Sequence, residues 1–206
     1  MDIDVDPSMP VKTLQKNVDA VLSSESLGAS LYVHGVRTIE ATSPKQTQTT
    51  QRWKAALVTI QGTRFSTRLE FSRRGFSSIS EQGTPGAEIL REASVPPFAV
   101  SFYGDSAMIQ QKIIALASPG RNAARDLFDL HHLFFAVHTA VARGSLFLES
   151  RVIEKAVEKV GHFDADDFRS QVLPSLPEDL ATFYGSSTAF HRLRGQVETR
   201  LMEWLG

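Results

Sequence analysis

The feature that most restricts the fold of this chain is a change in the period of its apolar residues near Gly104. Before that point, residues 31–40, 51–61 and 64–73 combine β-branched and aromatic content with alternation, which is the pattern of strands that bury one face. From Gly104 onward the period is helical: Ile109, Ile113 and Leu116 mark one helix, and Leu127, Leu130, Phe134 and Val137 mark the next. A sheet and a helix present their apolar faces at incompatible spacings, so the two stretches belong to different kinds of structure. The pattern predicts an α+β protein, with an α/β part over residues 1–103 followed by an all-helical part over residues 104–206.

Within the first part, Val11, Leu14, Val18, Val21 and Leu22 recur on one face, with Pro10 suited to a first turn, so residues 10–24 are expected to form an amphipathic helix. Residues 43–50 are polar and read as a loop, and Gly62-Thr63 reads as a hairpin turn, giving a mostly antiparallel sheet. Residues 77–86, rich in Ser and Gly, read as a mobile stretch, and Pro96-Pro97 as the end of the sheet region. In the second part Pro119-Gly120 closes the first helix, and further helices are expected over 149–160, 165–173, 177–184 and 187–205.

Hydrophobic residues make up 42% and charged residues 22% of the chain, the balance of a globular protein rather than a disordered one. No apolar run reaches membrane-spanning length, and no basic-then-apolar leader stands at the start, so no membrane partner is expected. The absence of cysteine excludes disulfides and thiolate metal sites and fits a cytoplasmic location. With a formal net charge of −1, any polyanion must be held by a local cluster rather than by the overall field.

One such cluster begins at the N-terminus, where Asp2, Asp4 and Asp6 alternate with Ile3 and Val5. On a strand the acids share one face, and a rise of roughly 3.3 Å per residue sets neighbouring carboxylates about 7 Å apart. Such a pair can hold Mg²⁺ and, through it, a nucleoside triphosphate (NTP); alternatively the segment is an acidic, solvated terminus. In the segment 67–73, alternation sets Leu69 and Phe71 on the core face and Arg68, Glu70 and Ser72 on the other. Glu70 is then either a third carboxylate for the cation or half of a cross-strand ion pair.

A second cluster combines Lys112 with Arg121, Arg125, Asp126 and Asp129. Lys112 borders an apolar stripe, so its stem can be buried while its ammonium emerges. Arg121 and Arg125, four residues apart, read as one helical face, where like charges call for acids or a phosphate beside them. The competing arrangement pairs Arg125 with Asp129 and leaves the group as solvated helix charges. Arg73, at the end of the third strand segment, joins Arg121 and Arg125 as a candidate contact for a nucleotide. His131 and His132 are adjacent and diverge around a helix. No His-Glu-x-x-His, Walker-type glycine loop or Gly-x-Ser-x-Gly elbow is present, which sets zincin, P-loop and hydrolase chemistries aside.

Taken in order, Asp2-Ile3-Asp4-Val5, the strand 68–73 and the run from Lys112 through Arg125-Asp126-Leu127-Phe128-Asp129-Leu130 resemble the AbiEii/AbiGii nucleotidyltransferase-type toxin family. The resemblance implies a polymerase-β-like nucleotidyltransferase sheet followed by a helical domain. It also implies Mg²⁺-dependent nucleotide transfer from NTP to RNA, tRNA acceptor ends among the targets, and pairing with a cognate antitoxin protein. Carried over by position, Asp2 and Asp4 match the metal-binding acids, Lys112 the basic residue near the NTP phosphates, Asp126 the acid of the Arg-Asp-x-x-Asp segment, and Glu70 a third acid. The family places a Gly-Ser turn and helix ahead of its acids, and the sequence given starts at the acids. That departure leaves two alternatives open: a catalytically impaired remnant acting as an interaction module, or a phosphotransferase.

Overall fold

The computed structural model describes residues 2–73, 80–135 and 141–205, with Asp2 described by its backbone. It forms two compact units, residues 1–78 and 79–206. The first holds a four-stranded sheet built from β1 (Asp2–Asp4), β2 (Val36–Gln46), β3 (Thr50–Thr59) and β4 (Arg64–Ser72), with helices α1 (Val11–Leu22) and α2 (Glu25–Val33) between β1 and β2. The strand order is β1-β4-β3-β2; β1 runs parallel to β4, and the other pairs are antiparallel.

Helix α1 covers one face of this sheet. Trp53 is 1% exposed, meets Phe71 edge-on at 5.5 Å and donates its indole N–H to Asp19 Oδ1 at 2.6 Å. The buried Gln51 donates from Nε2 to the Val11 carbonyl at 3.1 Å, and Leu14 fills the same layer. The opposite face carries alternate residues of opposite character: Arg52 and Lys54 of β3, Arg64, Arg68 and Glu70 of β4, and Glu40 of β2. Period-two alternation therefore yields one apolar and one charged face, as the sequence pattern requires.

Two expectations are corrected here. The segment expected as a strand over 31–40 is helical through Val33, because Ser24 caps α2 by accepting from Leu27 N and the helix continues across the apolar residues 27–33. Gly35, at φ +79°, takes the left-handed conformation that ends a helix, and β2 starts at Val36. The polar stretch 43–50 is likewise not one loop: β2 extends to Gln46, and the turn is closed by Thr47 bonding Thr50 through both backbone and side chain. Gly62, at φ +85°, does turn the β3–β4 hairpin.

In the second unit, β5 (Glu81–Gly83) pairs antiparallel with β6 (Val100–Phe102) around the short helix α3 (Ala87–Glu92). The sequence pattern missed this two-stranded sheet, because segments of three residues are too short to show a period. It closes within the second unit, which is why the compact units divide before residue 79 although the period changes only at Gly104. The expected mobile stretch 77–86 lies outside the described residues as far as residue 79, and includes β5 beyond.

Among the described residues the helices that follow are α4 (Asp105–Ala117), α5 (Ala124–Phe135), α6 (Ser150–His162), α7 (Ala165–Gln171), α8 (Glu178–Tyr184) and α9 (Ser187–Glu203). Ile109, Ile113 and Leu116 of α4, Leu127 and Leu130 of α5, Ile153 and Val160 of α6, and Phe190, Leu193 and Leu201 of α9 share one core. Phe134 packs against it, and Val137 lies outside the described residues. The mixed sheet followed by helices is the α+β class expected from the change of period. Among the described residues no helix is long and apolar enough to cross a membrane.

Candidate functional site

Parallel pairing of β1 with β4 sets Asp2 opposite Glu70 and Asp4 opposite Ser72. Across the other edge of β4, Arg52 stands opposite Glu70 and Thr50 opposite Ser72. Paired positions share a face, so two rows cross the sheet: Asp2, Glu70 and Arg52, then Asp4, Ser72 and Thr50. The sheet thus brings the three acids expected to hold metal to neighbouring register positions. Asp6 does not join them. The strand ends at Asp4, and the Asp6 carboxylate turns to accept from Ser8 N at 2.8 Å; hydrogen bonds from the Ser8 side chain and backbone hold its carboxyl below the usual range.

Glu70 is an ion-pair partner in this structure. Its Oε2 accepts from Arg52 Nε at 2.7 Å and Nη2 at 2.6 Å, with Arg68 Nε at 4.0 Å. Among the described residues no group of three or more His, Asp or Glu side chains is placed to hold a metal ion. The donor chemistry nonetheless suits a hard cation: Asp4 and Glu70 offer carboxylate oxygens, the ligands Mg²⁺ prefers. Arg73 is engaged elsewhere, donating to the Met9 carbonyl at 2.5 Å and to Gln51 Oε1 at 2.8 Å, so it ties the turn ahead of α1 to the sheet.

The second unit assembles its own charged cluster. Asp126, in the first turn of α5, is 1% exposed and carries a carboxylate that requires partners at that depth. Arg121 supplies two bonds, Nε to Oδ2 at 2.5 Å and Nη2 to Oδ1 at 3.0 Å. Lys112 Nζ lies 3.4 Å from Asp126 Oδ1 and 2.5 Å from Asp129 Oδ2. The hydrogen bond to Asp126 raises the Arg121 pKa above its ordinary value against the opposing effect of burial.

This geometry overturns two sequence expectations. Arg121 precedes α5, which starts at Ala124, so Arg121 and Arg125 do not share a helical face. Asp129 is paired with Lys112, across from the neighbouring α4, rather than with Arg125 on its own helix. Arg125 is exposed, and its side chain makes no hydrogen bond or ion pair with the described residues. Lys112, Arg121 and Asp126 are therefore brought together, and Arg125 is not. Further along α5, His131 meets Gln196 Oε1 of α9 at 3.0 Å, and burial lowers its pKa, with the hydrogen bond opposing and nearby His132 adding to the fall.

Sequence reasoning missed Arg52. A two-residue turn at Gly62-Thr63 would place Ala55 opposite Glu70, whereas the observed connection between Thr59 and Arg64 places Arg52 there. Nothing local in the sequence signals that difference in loop length.

No family model matches this chain, and no curated protein matches it. Among solved structures it is similar to JHP933 from Helicobacter pylori, with 17% identity, a TM-score of 0.48, and coverage of 98% of this chain and 76% of that one. It is also similar to a candidate nucleotidyltransferase from H. pylori, with 16% identity, a TM-score of 0.44, and coverage of 80% of this chain and 69% of that one.

Proposed function

We propose that this protein is a Mg²⁺-dependent nucleotidyltransferase with a polymerase-β-like core that transfers a nucleotide from NTP to an RNA acceptor. The observation that supports this most is the register of β1 on β4, which lines up Asp2, Asp4 and Glu70 on the charged side of a sheet. Carboxylate oxygens are the ligands Mg²⁺ prefers, and in this reading the metal takes the Glu70 oxygen that Arg52 now holds. Mg²⁺, when bound, supplies charge neutralisation at the phosphate oxygens. The acceptor hydroxyl oxygen forms a bond to the α-phosphorus as the bond from that phosphorus to the bridging oxygen breaks. Pyrophosphate leaves with the electron pair, and the hydroxyl proton passes to water.

In this assignment Lys112 takes the role that the AbiEii/AbiGii resemblance gives it, the basic residue for the NTP phosphates. Asp126 is a positioning residue: it is buried, and it holds Lys112 and Arg121 rather than meeting substrate. Arg125 is exposed, with no side-chain partner among the described residues, and in this reading it meets the polyanion directly. Toxin-like action restrained by an antitoxin protein, with tRNA as acceptor, follows from the AbiEii/AbiGii resemblance in sequence order alone.

The test is transfer of labelled nucleotide to RNA in the presence of Mg²⁺. Asp4→Ala should abolish labelling while leaving the far-ultraviolet circular dichroism unchanged. Labelling retained in Asp4→Ala, or absent from the wild type with every NTP, would overturn the assignment.

A further inference from the structure

Strand β4 has a neighbour on both sides along only part of its length. On its β1 side it is paired at Glu70, Phe71 and Ser72, and among the described residues no strand pairs with that side from Arg64 to Thr67. Val5 N donates to the Ser72 carbonyl on this side. Backbone groups alternate in direction along a strand, so the N–H and C=O of Ser66 and Arg64 point outward as well. Residues 64–68 are all exposed, Phe65 to 56%. The two edges of the sheet are protected differently. The outer edge of β2 carries Pro44 in a break of register between Thr42 and Lys45, and both devices discourage a further strand. Strand β4 has neither, and its register with β3 is continuous from Ser72 to Arg64.

The side chains beside this edge specify what can pair there. On the charged face, Arg64, Ser66 and Arg68 border a recess of about 460 Å³, lined also by Ala56 and Lys54. Lys54 stands directly opposite Arg68, in a row completed by Thr42 that holds two cations and no acid among these positions. Arg64 meets Glu40 at 2.7 Å, in a pair more than half exposed on both sides and therefore weak and exchangeable. On the other face, Phe65 and Thr67 are left uncovered.

We infer that the Arg64–Arg68 edge binds an extended segment of another protein in which acidic residues alternate with apolar ones, the segment lying along β4 in line with β1. Main-chain hydrogen bonds to Arg64 and Ser66 hold it, its acids enter the basic recess, and its apolar residues cover Phe65. The chain's own β1 shows the pattern that fits this edge: Asp2 takes a register position on the charged face and Ile3 one on the other. A second copy of this chain fits poorly. Antiparallel pairing of β4 with itself about Ser66 would set Arg64 opposite Arg68 twice, and like charges directly opposite destabilise a strand pair. The inference stands on the sheet of the first unit and does not depend on the transferase assignment.

The probe is a fluorescein-labelled, end-blocked hexapeptide of alternating Glu and Val, with a peptide of the same composition in block order as its control. Fluorescence anisotropy should show the alternating peptide binding the wild type about ten-fold or more tightly than the control, because only alternation presents acids to one face and valines to the other. Methylating alternate backbone nitrogens of the peptide gives two isomers. One should lose binding and the other keep it, since only one set of N–H groups faces β4. Ser66→Pro removes an outward N–H without touching a bond to β3, and should weaken the peptide about ten-fold or more with the thermal midpoint unchanged. The methylated peptides are tested on the wild type, so that comparison holds even where Ser66→Pro does not fold. Equal affinity for the block-order control, or both methylated isomers binding as the parent does, would reduce the edge to a patch of charge and overturn the inference. No binding of the alternating peptide would overturn it directly. Sedimentation velocity that finds a dimer lost in Ser66→Pro would assign the edge to a second copy instead, and overturn it as well.

Discussion

Arg121 and Asp126 form a two-bond clamp between the connection after α4 and the first turn of α5, with the carboxylate 1% exposed and the guanidinium half exposed. The asymmetry in burial decides which partner matters more for folding. Losing the buried acid removes the bonds at the deep end of the network, whereas losing the arginine leaves Asp126 still within reach of Lys112. Asp126→Ala should therefore lower stability by about 2–3 kcal/mol and Arg121→Ala by about 1 kcal/mol, discounted for its exposure. Urea unfolding followed by circular dichroism checks both values. The double variant should fall short of their sum, because the two residues share their bonds. Equal and additive losses would show that the clamp is not a unit.

Glu70 and Arg52 are coupled in a different way. Their ion pair occupies an oxygen that a metal would need, so cation binding at Glu70 competes with Arg52. Mn²⁺ can report this by its paramagnetic signal. Arg52→Gln should raise Mn²⁺ affinity several-fold by removing a nearby positive charge, and Glu70→Gln should lower it by a similar factor. Affinity that is insensitive to both would remove Glu70 from the metal set and leave it as a strand-to-strand ion pair.

His131 gives the protein a predictable pH response. Its pKa in the folded state is lowered, chiefly by burial. The unfolded chain consequently takes up a proton at higher pH than the folded one. As pH falls through the unfolded value of about 6.5, protonation favours unfolding, and the loss continues until the pH drops below the folded pKa. Stability should therefore decrease from pH 7.5 to 5.5, and the decrease should be shallower in His131→Asn. Thermal midpoints of the two proteins across that range measure the difference. Parallel curves would mean that His131 titrates normally.

The helical half was legible because burial on one side of a helix leaves a record every three to four residues. Ile109, Ile113 and Leu116, expected on one face, are all buried within the core of the second unit. The sheet was legible for the same reason at period two. What failed was the marking of ends. Residues 31–33 are apolar enough for either structure, and the Ser24 cap together with the left-handed Gly35 decided for helix. Strands β5 and β6, three residues each, had no room to show any period.

At the candidate site, the sequence by itself determined which chemistry was available: carboxylates in alternation at the start, a lysine beside an apolar stripe, and an Arg-Asp-x-x-Asp run. Strand parity also determined that Asp2 and Asp4 share a face. Only the tertiary structure decided who pairs with whom. Glu70 met Arg52 because of the length of one hairpin, Asp129 met Lys112 from a neighbouring helix, and Asp126 was buried while Arg125, one residue earlier, was left exposed. Side-chain period is a local property, set by backbone geometry within a single element. Ion pairing and burial depend on which elements meet and in what register, and these contacts are made between residues far apart in the chain.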